Sequence, residues 1–179
     1  MESLKYLPRY TASDYQLWEG EWELIDGRAV SMSPSPVRKH QQLGTVFLHH
    51  IYEELTKNKD NCGNCEVVFE LDWIVNENTV LRPDISVICD EANDFITKAP
   101  VLIIEIISPS TALKDKHIKY EIYQAQGVKY YIIADASAKT CQVYSLVDGI
   151  YQTYSSLSFD IHHSCALHLD LPAIVAAIK

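Results

Sequence analysis

The chain has 179 residues, 47% of them hydrophobic and 22% charged, which is the composition of a globular protein with enough length to bury a core unaided. Its formal net charge of -9 excludes a protein that coats nucleic acid by bulk electrostatics, but leaves open a local basic strip beside a bound cation. The length predicts a single domain over residues 1–179.

In chain order, Tyr10 to Tyr15 opens a short helix with Thr11 or Ser13 as N-cap. Trp22 to Ile25 and Arg28 to Met32 form a hairpin around Asp26-Gly27. Ser35-Pro36 starts a long helix whose stripe of Leu43, Val46, Phe47, Ile51 and Leu55 faces a sheet. One of the mid-helix residues His49 and His50 is expected to face the core, and Asn58 to Asn64 is a polar loop.

Cys65 to Val75 reads as one strand with Val67, Phe69, Leu71 and Trp73 on one face. Thr79 to Ile88 reads as the next strand, with Pro83 tolerated only near an end or an edge. Asp90 to Ala99 is a loop with helical character, and Val101 to Ile107 is a strand covered on both faces. A second helix starts at Ser108-Pro109-Ser110-Thr111 and stops at Gly127, with Leu113, Ile118, Ile122 and Ala125 as its core stripe. Lys129 to Ala134 is an apolar strand, Thr140 to Leu146 and Tyr151 to Ser155 form a hairpin across Asp148-Gly149, and Leu171 to Ile178 is a helix. This order gives a mixed α/β (α+β) sheet with helices on both sides.

No apolar run reaches transmembrane length and no signal-peptide core is present, so the expected location is cytoplasmic, with no membrane partner and with reduced thiols. The five cysteines are Cys62, Cys65, Cys89, Cys141 and Cys165. Cys62-Gly63-Asn64-Cys65 lacks a second pair at zinc spacing and reads as a polar loop with two thiols. Cys89 and Cys141 read as small core residues. His162, His163 and His168 are too loosely spaced to form a zinc site.

The chemistry centres on two acids. Glu105 interrupts the most apolar run of the chain, where a carboxylate needs a proton, a cation or a metal beside it. Asp84 ends Arg82-Pro83-Asp84 just before the strand Ile85 to Ile88. Two carboxylates brought by two strands to one place suit a divalent cation. Asp115 and Lys119 are four apart on the following helix, early enough for a lysine to reach the end of the Glu105 strand. Such a set suits metal-assisted phosphodiester hydrolysis: the acids hold Mg²⁺ or Mn²⁺, and the lysine orients water and offsets charge on the phosphate. The structural alternatives are a buried Glu105 paired with Lys119 or Arg82, and an exposed Asp115–Lys119 pair.

The segments Trp22 to Gly27, Ser35 to Gln41, Arg82-Pro83-Asp84, Glu105 to Ser110, Asp115 to Tyr123 and Gly127 to Tyr131 together resemble the Uma-type family of restriction endonucleases, within the PD-(D/E)xK nuclease superfamily. The resemblance runs from about Tyr10 to Leu171. It implies a restriction-endonuclease-like core with flanking helices and extra N- and C-terminal hairpins, acting as a metal-dependent DNA endonuclease. Asp84 takes the place of the PD acid and Glu105 of the (D/E) acid. The superfamily's lysine two residues on is replaced by Ile107, and the resemblance assigns its role to Lys119.

By the same resemblance Glu23 is a candidate third metal ligand; otherwise it is a solvent-facing strand residue. His40 is a candidate for phosphate binding or for tuning the metal water; otherwise it lies on a helix surface. Gln41, Ser108 and Lys116 complete the candidate substrate-binding set. A strip of Arg38, Lys39, Lys114, Lys116 and Lys129 would meet phosphates rather than bases. Cutting both strands favours a homodimer. No DNA-reading module is evident, so specificity is weak or comes from a protein partner. The competing expectation is a catalytically inactive nuclease-fold protein that binds nucleic acid or a protein.

Overall fold

The computed structural model describes residues 8–32, 37–107 and 114–179, with the side chains of 114–116 left aside. Its helices are α1 (Ala12–Tyr15), α2 (Arg38–Lys57), α3 (Lys59–Cys62), α4 (Tyr120–Ala125) and α5 (Leu171–Ala176). A π-helical segment, Lys114–Lys119, runs directly into α4. The strands are β1 (Trp22–Ile25), β2 (Arg28–Ser31), β3 (Cys65–Phe69), β4 (Trp73–Asn76), β5 (Thr79–Leu81), β6 (Ile85–Cys89), β7 (Leu102–Ile107), β8 (Tyr130–Asp135), β9 (Thr140–Val147), β10 (Ile150–Thr153), β11 (Ser158–His162) and β12 (Cys165–His168).

They build a six-stranded sheet in the order β10-β9-β8-β7-β6-β3, a four-stranded sheet in the order β2-β1-β5-β4, and the hairpin β11-β12. All neighbours pair antiparallel except β7 and β8, which are parallel across the helical connection. One face of the larger sheet buries Ile104, Ile106 and Ile132 against Leu43, Phe47, Ile51 and Leu55 of α2, Ile174 of α5 and Phe159 of β11. The other face buries Ile103, Ile107, Tyr131 and Ile133 with Tyr123 of α4 and with Trp73 and Leu81 of the smaller sheet. This is the mixed α+β architecture expected from the alternation of elements.

Local signals explain much of it. Thr11 caps α1 in a reciprocal box with Asp14. Asp26 and Gly27 both have positive φ (48° and 73°), as do Asp148 and Gly149 (51° and 79°), so each pair forms the two-residue turn that matches strand twist. The α2 stripe lies on the sheet as expected, and Gly44 allows it close: a Cβ there would stand 3.3 Å from Phe69 and 3.4 Å from Ile106. Replacing Gly44 by valine is expected to cost about 1–3 kcal/mol in urea unfolding, because the added methyl groups overfill the contact with Phe69 and Ile106. Stability equal to the parent would show that this contact yields.

Several expectations are corrected. Cys65 to Val75 is two strands in two sheets: Val67 and Phe69 pack with the α2 cluster, Leu71 and Trp73 with the opposite one. The chain turns between them at Glu70, whose φ is 49°. Thr79 to Ile88 is likewise broken into β5 and β6 at Arg82-Pro83-Asp84, because Pro83 cannot donate to a ladder. The 90–99 segment contains no helix. The Glu91 carboxylate organises it by accepting from the backbone N–H groups of Asn93, Thr97 and Lys98. Desolvation opposes that charge but is outweighed by the donors, and the Glu91 pKa falls to about 2.

Asn58 to Asn64 contains the helical turn α3. His49 and His50 both lie exposed. The β11-β12 hairpin was not anticipated, since its flanking polar residues mask the alternation of Phe159, Ile161, Cys165 and Leu167. Ser35, Pro36 and the Ser108–Thr111 start lie outside the described residues.

The expectation of reduced thiols is also corrected. Cys62 is disulfide-bonded to Cys165, and Cys65 to Cys89, leaving Cys141 free. The two thiols of Cys62-x-x-Cys65 therefore serve different partners: one ties α3 to the β11-β12 hairpin, the other bridges the paired residues of β3 and β6. No helix among the described residues is long and apolar enough to cross a membrane.

Candidate active site

The site forms where β6 begins beside β7. Ile85 pairs with Ile104 in antiparallel register, so Asp84 stands opposite Glu105 and Pro83 opposite Ile106. Beyond Ile85 the ladder stops, and the Ile106 N–H donates instead to Asp84 Oδ2 at 2.6 Å. The break at Pro83 thus turns a strand end into a carboxylate held against the backbone of the residue after Glu105. His40, in the first turn of α2 and only 7% exposed, brings Nε2 to 3.1 Å from the same oxygen. The tautomer with its proton on Nε2 makes His40 the donor of this contact. The other oxygen of Asp84, Oδ1, accepts no hydrogen bond among the described residues.

Glu105 points to the α4 side of the sheet and is buried. Its Oε1 accepts from Lys119 Nζ at 2.8 Å and from the Tyr123 hydroxyl at 2.6 Å. Lys119 is itself 2% exposed, and its ammonium lies 2.9 Å from Glu23 Oε1. Glu23, fully buried on β1, also accepts from the Arg82 backbone N–H at 3.1 Å. One ammonium thus stands between two buried carboxylates supplied by two different sheets. Burial, and then the charge of Glu105, push the Tyr123 pKa well above its ordinary value, so this hydroxyl remains a donor.

These positions settle several alternatives. Glu23 is not a solvent-facing strand residue, His40 is not on the helix surface, and Lys119 is not part of an exposed pair. The buried stripe of the connecting helix is Lys119 and Tyr123 rather than Ile118, which is 46% exposed, or Ala125, which is also exposed. Lys119 and Tyr123 are four residues apart and so share one helix face, and that face meets the sheet because the buried carboxylates of Glu23 and Glu105 compensate the ammonium, whereas the adjacent Ile118 is turned outward. Gln41 is exposed beside Arg38 and Lys39. Ser108 and the side chain of Lys116 lie outside the described residues. Ile107 is buried in the apolar cluster facing α4.

Two contributors were missed in the sequence. Tyr123 stood inside a matching segment but reads as an ordinary core aromatic. Glu70 follows β3 and donates its backbone N–H to the Asp84 carbonyl at 3.0 Å. Desolvation, followed by the charge of Asp84, raises its pKa. The signal for it in the sequence is the strand break at Glu70, which the continuing alternation of Phe69 and Leu71 conceals.

Oxygen donors dominate the arrangement, which suits Mg²⁺ or Mn²⁺ rather than a thiolate-seeking metal. Among the described residues, no group of three or more His, Cys, Asp or Glu is arranged to hold a metal ion. Asp84, Glu105 and Glu23 are the acids that could hold such an ion, and Lys119 engages both Glu105 and Glu23.

Comparison with known proteins agrees with this architecture. The chain is 30% identical over 128 residues to "Uncharacterized protein slr1290" of Synechocystis sp., covering 65% of this chain and 63% of that relative's length. A crystal structure of a "putative nuclease belonging to DUF820" from Anabaena variabilis shares the fold, with a TM-score of 0.72 at 19% identity, over 93% of this chain and 97% of that one. Residues 12–174 match the model of the Uma2 family, described as "Putative restriction endonuclease". The chain belongs to the Uma2 family.

Proposed function

We propose that this protein is a metal-dependent DNA endonuclease whose reacting groups are Asp84, Glu105 and Lys119. The observation that carries this reading is the buried Lys119 ammonium held against Glu105, one residue from the Ile106 N–H that fixes Asp84. It supplies from a helix the cation that the superfamily pattern places at the position of Ile107. Asp84 and Glu105 would hold Mg²⁺ or Mn²⁺, which when bound supplies Lewis acidity toward water and the scissile phosphate.

The remaining tasks belong to the chain's own groups. His40 and the Ile106 N–H fix the orientation of Asp84 through Oδ2 and leave Oδ1 for the metal. Tyr123 and Lys119 fix Glu105 through Oε1. Lys119 offsets charge developing on the phosphate, and Glu23 positions it, so no reorganisation of the ammonium is needed during reaction. The exposed Arg38, Lys39 and Gln41 at the start of α2 face phosphates of the strand, which fix register without reading sequence. A homodimer would present two such sites to the two antiparallel strands.

The test is cleavage of plasmid and single-stranded DNA with Mg²⁺ or Mn²⁺. Asp84→Asn and Glu105→Gln are each expected to slow cleavage by about 10²–10³-fold or more, the scale for removing one electrostatic contributor, with EDTA abolishing it. Equal rates for parent and variants would assign the cleavage to a contaminant and sink the proposal. In that case the ion-paired Lys119 favours the second reading, a nuclease-fold protein that binds without turnover.

A further inference from the structure

A cavity of about 430 Å³ opens on the outer side of the smaller sheet, between α1 and strands β4 and β5. That volume lies within the range of about 300–1,000 Å³ typical of small-molecule sites. Its walls are flat rings: Tyr15, Trp18, Trp22 and Phe95. Phe95 is 40% exposed, so this wall meets solvent without a partner covering it. Trp18 packs against Tyr15 and Trp22 with ring centroids 5.4 and 6.1 Å apart, which holds the aromatic wall in place.

The charged groups of the cavity are Asp72 and Arg82, with Gln16 a further polar side chain in its lining. Arg82 Nε donates to Asp72 Oδ1 at 2.6 Å and Nη2 to Oδ2 at 3.3 Å, a two-point pair in which the charges cancel. The Tyr15 hydroxyl lies against the same pair, 3.1 Å from Asp72 Oδ1. A neutral floor of donors and acceptors between aromatic walls suits a flat, uncharged heterocycle with hydrogen-bonding edges. Glu21, which also pairs with Arg82, adds a second carboxylate beside that guanidinium and disfavours an anionic group in the cavity.

The cavity is joined to the candidate active site through two residue pairs. On β1, Trp22 lines the cavity while the next residue, Glu23, holds Lys119. Arg82 sends its guanidinium to the cavity and its backbone N–H to Glu23 Oε1, two residues before Asp84.

We infer that this aromatic cavity binds an unstacked nucleobase of the DNA strand presented to the Asp84–Glu105 site. The inference rests on the nuclease reading for its choice of strand, but its recognition chemistry is independent of cleavage. Stacking on aromatic side chains tolerates every base, and a single strand does not bear the cost of unpairing. The protein should therefore prefer single-stranded DNA to duplex.

The experiment is equilibrium binding in EDTA, so that turnover cannot intervene. Fluorescein-labelled oligothymidylate is followed by anisotropy, with tryptophan quenching as the marker of the cavity. Trp18→Ala and the more exposed Phe95→Ala are each expected to weaken binding roughly 5- to 150-fold, the range for loss of one stacking partner. An oligonucleotide abasic throughout should bind without quenching. Unchanged affinity and quenching in a folded Phe95→Ala variant, or quenching by the abasic strand, would overturn the inference. Thymidine monophosphate binding as tightly as the oligonucleotide would overturn the assignment to a strand and identify a free-nucleotide site. A parent protein that shows base-dependent quenching but cleaves nothing would refute the nuclease reading while leaving the cavity's ligand class intact.

Discussion

Replacing Lys119 by methionine is expected to destabilise the fold by about 3–5 kcal/mol and to abolish cleavage. Methionine approximates the length of lysine, so little packing is lost. What is lost is the ammonium between Glu23 and Glu105, which are 0% and 2% exposed. Removing one member of a buried ionic group leaves the others uncompensated, and that cost falls in the stated range. The triple variant Glu23→Gln, Glu105→Gln, Lys119→Met removes all three charges and should recover most of the stability while remaining inactive. Urea unfolding of parent, single and triple variants separates the two effects. A single variant as stable as the parent would mean that the ammonium does not neutralise these carboxylates. A triple variant more stable than the parent yet inactive would show a group retained for chemistry at the expense of stability.

The second large effect concerns the Cys62–Cys165 disulfide, which closes a sequence separation of 103 residues. Chain-entropy reasoning assigns about 4.7 kcal/mol to a loop of roughly that length, and about 3 kcal/mol to one nearer the 24-residue separation of Cys65–Cys89. Cys62→Ser with Cys165→Ser should therefore lower stability more than Cys65→Ser with Cys89→Ser. Thiol titration of the denatured, unreduced protein should find one reactive thiol, that of Cys141. Titration of five thiols would remove both bridges. Their presence bears on the compartment in which the protein is most stable, because a reducing environment opposes such bonds.

Periodic and local signals were legible in the sequence. The α2 stripe, both two-residue turns, the Thr11 cap and the doubly covered β7 follow from side-chain spacing and backbone preference, which act over a few residues. Glu105 stood out because a charge within an apolar run must be compensated somewhere. Cues that depend on interruption were harder to read. Alternation continues across Glu70 and across Pro83, so pattern alone merged strands that belong to different sheets. Before β8, hydrophobicity selects Ile118 and Ile122 as the buried pair, but the neighbouring pair Lys119 and Tyr123 is the buried one, because partners distant in sequence compensate the ammonium.

The sequence by itself determined the kinds of element, their order and the two acids that demand an explanation, because these depend on neighbours along the chain. Only the tertiary structure decided that Lys119 is shared by Glu105 and Glu23, that His40 turns inward to Asp84, and that the cysteines pair as they do. Those outcomes bring together residues 14 to 103 positions apart. Their partners are chosen by how two sheets and a helix pack, and no local pattern encodes that choice.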